Sequence, residues 1–248
     1  MTELKKGRPL GLNNFDKYSA CKALTRSINN AYQETPKYTG LRELVQNSID
    51  AIVRQQRIEP GFQGRIVVGP YYEADLGRHG NKLCVADNGI SMSPSDVETH
   101  LNNLHNSGND AGHELVAGTS AHKGQGAKTS LLPVNKDGME YFLLQKGRSP
   151  VVCNLWCNTE SYDGDPVYEL EAIGDDGDCY GLCHKDEMLA PLFRNFILET
   201  GHGTIVKLCG NSEDESTVFS DEILGPFNQT SYGLIKLLES RYLSLIHI

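Results

Sequence analysis

Apolar residues recur at helical spacing over positions 15–32 and again over 41–57, and Pro36 between them breaks the first pattern. In the second segment Leu41, Leu44, Val45, Ile49, Ile52 and Val53 gather on one side of a helix, with Glu43, Asn47, Asp50 and Arg54 in a narrow stripe opposite. Taken alone, that stripe reads as the solvated face of an amphipathic helix. Positions 64–71 and 82–86 read as strands joined by a turn around Gly77 and Gly80, and the second runs straight into Asp87-Asn88-Gly89. Helical spacing returns over 94–104, with Ser93 or Ser95 available as a cap and Asp96 and Glu98 in the first turn. From 105 to 125 periodicity is lost and Gly108, Gly112, Gly118 and Gly124 appear, the pattern of a long, hinged functional loop. A short helix over 127–132 ends before Pro133, and strands are predicted at 140–145, 151–158, 167–173 and 204–209. Helices followed by a mostly antiparallel sheet predict an α/β fold, a two-layer sandwich with the helices on one face.

Composition narrows the class. The 248 residues suffice for one large domain with a core of ordinary size. A net charge of −9 argues against a surface built to neutralise the phosphates of a duplex, so nucleic-acid contact is expected only through regions outside this domain. No apolar stretch approaches a membrane span, and Lys5, Lys6 and Arg8 have no apolar run behind them as a secretory signal requires. The seven cysteines fit reduced thiols better than a disulfide framework, and a cytoplasmic location is expected. Residues 1–14 read as an arm, 15–210 as the domain and 211–242 as an extension beginning a further region. Residues 243–248 match one reading frame of a sequencing-library transposon end and are expected to be non-native read-through.

Four motifs carry candidate chemistry. In Glu43-Leu44-Val45-Gln46-Asn47 a carboxylate and an amide stand one helical turn apart and share a face. The carboxylate suits a general base and the amide oxygen suits Mg²⁺ beside phosphate oxygens and water. Asp87-Asn88-Gly89-Ile90-Ser91-Met92 puts an acceptor at a strand end, where Asp87 can take a hydrogen bond from an adenine amino group, Gly89 allows close approach and Met92 offers a polarizable face. Its bland alternative is an Asn-Gly hairpin turn. The run from Gly118 through Ser120, Gly124, Gln125, Gly126, Lys128 and Thr129 is glycine-rich and leads into a helix, a pattern suited to an anionic phosphate. A Walker A loop fails, because Ala127 stands where a glycine must precede the lysine. Gly201-His202-Gly203-Thr204 is a glycine turn opening a strand.

In order and approximate spacing these four motifs resemble the GHKL ATPases, the group of gyrase, heat-shock chaperone, histidine kinase and MutL, whose nucleotide site is built on the Bergerat α/β sandwich. The resemblance covers roughly residues 15–208, and the run around Lys128 looks most like the lid of microrchidia-type members. It implies that Glu43 is the catalytic base, Asn47 the Mg²⁺ ligand, and Asp50 part of the nucleotide-binding helix. It implies further that Asp87 contacts adenine, with Thr204 joining through water. ATP and Mg²⁺ are the implied ligands, slow hydrolysis with lid closure the implied activity, and an ATP-dependent homodimer the implied partner. One departure stands out: Ser91 occupies the place of the family's second glycine. The alternatives are a module that senses nucleotide without hydrolysing it and a histidine-kinase catalytic domain; no helical hairpin upstream supports the latter. The pairs Cys153-x-x-x-Cys157 and Cys179-x-x-x-Cys183, the second followed by His184, fit either a structural zinc or simple packing.

Overall fold

The computed structural model describes residues 8–9, 17–34, 36–72, 81–101, 126–148, 150–160, 165–172 and 191–226, together with 233, 235, 236 and 238. Two helices come first, α1 (Lys17–Glu34) and α2 (Thr39–Ile58). The strands are β1 (Arg8–Pro9), β2 (Ile66–Tyr72), β3 (Asn81–Asp87), β4 (Met139–Leu144), β5 (Val151–Asn158), β6 (Val167–Ala172) and β7 (Gly203–Leu208). They form one sheet in the order β1-β6-β5-β4-β7-β3-β2, and every neighbouring pair is antiparallel. The shorter helices are α3 (Pro94–Asp96), α4 (Gly126–Leu131), α5 (Pro191–Thr200) and α6 (Asp221–Leu224). The chain is thus an α/β protein, and the six longer strands coincide with those predicted to within a residue or two.

Alternation along the strands decides what lies on each face. Leu83 and Val85 of β3, Val206 and Leu208 of β7, Met139, Tyr141 and Leu143 of β4, and Cys153 and Leu155 of β5 point to one side. There they meet Leu24 and Ile28 of α1, Leu41, Leu44 and Val45 of α2, and Leu131 of α4. The intervening residues Cys84, Ala86, Phe142 and Ile205 point the other way and form a second, smaller cluster with Phe193 and Phe196 of α5. The expectation of helices on one face alone is corrected here. The Phe193 ring stacks on Tyr71 with centroids 5.8 Å apart, so α5 covers part of the opposite face. α5 was not predicted from the sequence, although Leu192, Phe193, Phe196 and Ile197 recur at helical spacing with Arg194 and Asn195 between them and Glu199 beyond.

The 94–104 helix also differs from expectation. Ser93 caps it in a reciprocal box with Asp96, but after three residues the chain widens into a π-helical turn at Val97–Leu101. Residues 211–218 close the far end of the sheet. The buried Lys82 ammonium donates to the Ser212 and Glu215 carbonyls at 2.9 and 2.6 Å, and Thr217 Oγ1 accepts from Leu83 N–H while donating to Leu208 C=O. Val218, Ile223, Leu224 and Leu238 join the core under the helices.

Leu131 is fully buried where α4 meets α1 and α2, so Leu131→Ala is expected to cost about 2–5 kcal/mol in urea unfolding. Ile58 is 66 % exposed, and Ile58→Ala is expected to change stability by less than about 0.5 kcal/mol in the same measurement.

Candidate functional site

The site is organised along α2. Near its middle the turn after β3 presses against the helix: a Cβ at Gly89 would lie 2.5 Å from Ala51 C and Ile52 N, and Ile90 N–H donates to Ala51 C=O at 3.1 Å. The close approach that Gly89 permits is therefore to the α2 backbone, where the sequence suggested approach to a ring. This contact sets Asp87 beside the helix. Asp87 is 4 % exposed; its Oδ1 accepts from the Gly89 N–H at 2.9 Å, and the Ser48 hydroxyl of α2 donates to its side chain. Burial pushes its carboxyl up to about 7, against the opposing effect of those two bonds. Thr204 lies directly opposite Asp87 in the β3–β7 register, so the two side chains share the helix face of the sheet. Ser91 Oγ is 3.3 Å from Thr204 Oγ1. Met92 packs against the main apolar core.

About two turns earlier on α2 lies the acidic end. The Glu43 carboxylate is buried, takes a 2.7 Å ion pair from Arg42 Nη2, and abuts the start of α4, where a Cβ at Gly126 would sit 2.4 Å from Glu43 Oε2. Asp50 is buried too, bonded by Gln46 Nε2 at 3.0 Å, whereas Asn47 is exposed. The polar stripe of α2 is thus not a solvated face throughout: two of its carboxylates are out of water, and α4 covers one of them. On α4, Thr129 Oγ1 donates to Gly126 C=O at 3.3 Å. Lys128 is 3 % exposed, and its ammonium donates to the His100 carbonyl in the π-helical turn. Burial pushes Lys128 down to about 7. To meet a phosphate, Lys128 must leave that carbonyl. Ser120, Gly124 and Gln125 lie outside the described residues, as does the loop over 105–125.

Several residues here were not singled out as site residues from sequence. Ser48, Ser91 and His202 reach the site through register and turn geometry that no motif announces. His202 Nδ1 lies 3.1 Å from the Gly89 carbonyl, which can only accept, so Nδ1 carries the proton. His202 also packs near the Phe62 ring, and with Gln55, Ile90, Ser91, Gln145, Lys146 and Arg148 it lines a cleft of about 230 Å³ at this end of the sheet. His100, whose buried Nδ1 has no hydrogen-bond partner among the described residues, feels Asp96, Lys128 and Arg54; desolvation leads in pushing its imidazole pKa down.

Among the described residues no group of three or more His, Cys, Asp or Glu is placed to hold a metal ion. A cation here would take one hard oxygen from Asn47 and the rest from phosphate and water, a donor set that suits Mg²⁺. Cys153 and Cys157 sit in the core, where burial pushes both thiols up, against the thiolate that zinc needs. Packing is their observed role; Cys179, Cys183 and His184 lie outside the described residues. No helix among the described residues is long and apolar enough to cross a membrane. No protein-family model matches the chain, and no curated protein matches it.

The buried carboxyl makes a pH prediction. Asp87 has a folded value of about 7 against an ordinary carboxyl value of 3.8, so the native state binds more protons at this group than the unfolded state between those limits. Stability therefore falls as pH rises from about 4 to about 7. Urea titrations over this range should show a shallower fall for Asp87→Asn than for the wild type, and equal slopes would contradict the assignment.

Proposed function

We propose that the chain binds ATP with Mg²⁺ and hydrolyses it slowly, on a Bergerat-type sandwich like that of the GHKL ATPases, with closure of the 105–125 loop acting as a switch within a larger protein. One observation carries the reading. A single helix, α2, brings a buried acceptor to one end of the site and a buried carboxylate to the other. Asp87 accepts from Ser48, the turn after it docks at Ala51, Glu43 lies under Gly126, and the helical rise between 43 and 48 is about 8 Å. A nucleotide in this arrangement has its base at Asp87 and its phosphates toward Glu43 and Asn47.

In this reading Asp87 accepts from the base amino group, a contact that favours its ionised form against the burial that opposes it. Glu43 accepts a proton from the attacking water, and Arg42 holds its carboxylate in place. Asn47 is exposed on the same face of α2 and supplies the hard oxygen for Mg²⁺, which when bound would offset phosphate charge. Lys128 follows the loop by three residues and is released from the His100 carbonyl when it turns to phosphate. Turnover in such a site is limited by loop closure and opening.

A second reading, nucleotide sensing without hydrolysis, draws on the same carboxylate. Glu43 is already engaged by Arg42 and packed against Gly126, which leaves a water little room at the base.

Phosphate release separates the two. Glu43→Ala is expected to keep ATP binding and to lower hydrolysis by about 100-fold or more, and Asp87→Asn to abolish measurable binding. Hydrolysis by Glu43→Ala at the wild-type rate would remove Glu43 from the mechanism. Binding by the wild type with no release above background would favour the sensor.

A further inference from the structure

Ser91 stands where the resembling family carries glycine, and its surroundings give the hydroxyl a direction. The residue is 6 % exposed. Its carbonyl accepts from Gln145 Nε2 at 3.2 Å, and the preceding Ile90 N–H is fixed to the Ala51 carbonyl, so the backbone is pinned on both sides of the sheet end. With the main chain held, Ser91 Oγ faces Thr204 Oγ1 at 3.3 Å, and Thr204 stands opposite Asp87. Asp87, Thr204 and Ser91 are therefore neighbours along one edge, and Ser91 also lines the adjoining cleft.

We propose that Ser91 is a base-reading residue: Thr204 donates to Ser91 Oγ, and the Ser91 O–H donates into the site, beside the acceptor that Asp87 presents. In a pair of hydroxyls one O–H is used within the pair and the other is left to donate outward. The edge then offers an acceptor and a donor side by side. A 6-aminopurine is its complement, because the exocyclic amino group donates and the adjacent ring nitrogen accepts. A 6-oxopurine presents the reverse order and sets its carbonyl oxygen against the Asp87 carboxylate. The inference rests on the nucleotide reading of this site and adds a direct hydroxyl contact from Ser91 to the base.

The test compares binding of ATP, the triphosphate of 1-deazaadenosine, which keeps the amino group but lacks the accepting nitrogen, and GTP, to wild type, Ser91→Ala and Ser91→Thr. Wild type is expected to prefer ATP over the deaza analogue by about tenfold, the worth of one hydrogen bond. Ser91→Ala should bring that ratio to within about twofold, and Ser91→Thr should restore it. An unchanged ratio in Ser91→Ala, or a loss of the ratio in Ser91→Thr equal to that in Ser91→Ala, overturns the role of the hydroxyl. Binding of none of the three triphosphates by wild type instead overturns the nucleotide reading itself, and is seen in the first titration before any variant is compared.

Discussion

Helix α2 lies so close to the turn after β3 that Gly89 has no room for a side chain, since any Cβ there would strike the Ala51–Ile52 peptide. The rest of the site depends on this approach. It brings Ser48 to the Asp87 carboxyl and lets the Ile90 N–H reach the Ala51 carbonyl. It also fixes how far the polar stripe of α2 stands from the sheet. Because helix and strand are both rigid at this scale, positioning Asp87 at Ser48 positions Glu43 at the opening of α4, about one and a half turns away. The apolar layer beneath, from Leu41, Leu44 and Val45 to Leu83, Val85 and Leu208, holds the two layers at that spacing.

Two buried ionisable groups of this arrangement carry opposite shifts. Burial raises Asp87 to about 7 and lowers Lys128 to about 7, so each is disfavoured in its charged form by the same loss of water. A ligand with an amino donor at one end and a polyanion at the other would favour both charged forms at once. Perturbed titratable groups are one sign by which candidate functional sites are recognised.

Most of the sheet was legible in the sequence because alternation survives wherever one strand face meets the helices. The pattern Met139, Tyr141, Leu143 and the pattern Cys153, Leu155, Cys157 both read correctly as strands for that reason. What escaped had physical causes. β1 is two residues long and exists only through pairing with β6, so it has no period of its own. α5 has only ten residues, too short a window for its helical period to stand out beside the loops around it. Of the site, Glu43, Asn47, Asp50, Asp87 and Thr204 were visible as types at telling spacings, but burial of the stripe was not, since a polar helix face looks the same in sequence whether or not α4 covers it. Ser91 was visible only as a departure, and its pairing with Thr204 depends on the β3–β7 register. Gly89 was read as making room for a ligand, whereas it makes room for a helix.

The central claim is that the α2-aligned site takes a magnesium nucleotide, and calorimetric titration of the wild-type chain with ATP, with and without Mg²⁺, tests it most directly. The account predicts saturable binding of one ATP per chain that tightens when Mg²⁺ is present. No heat of binding at millimolar ATP in either condition would contradict it.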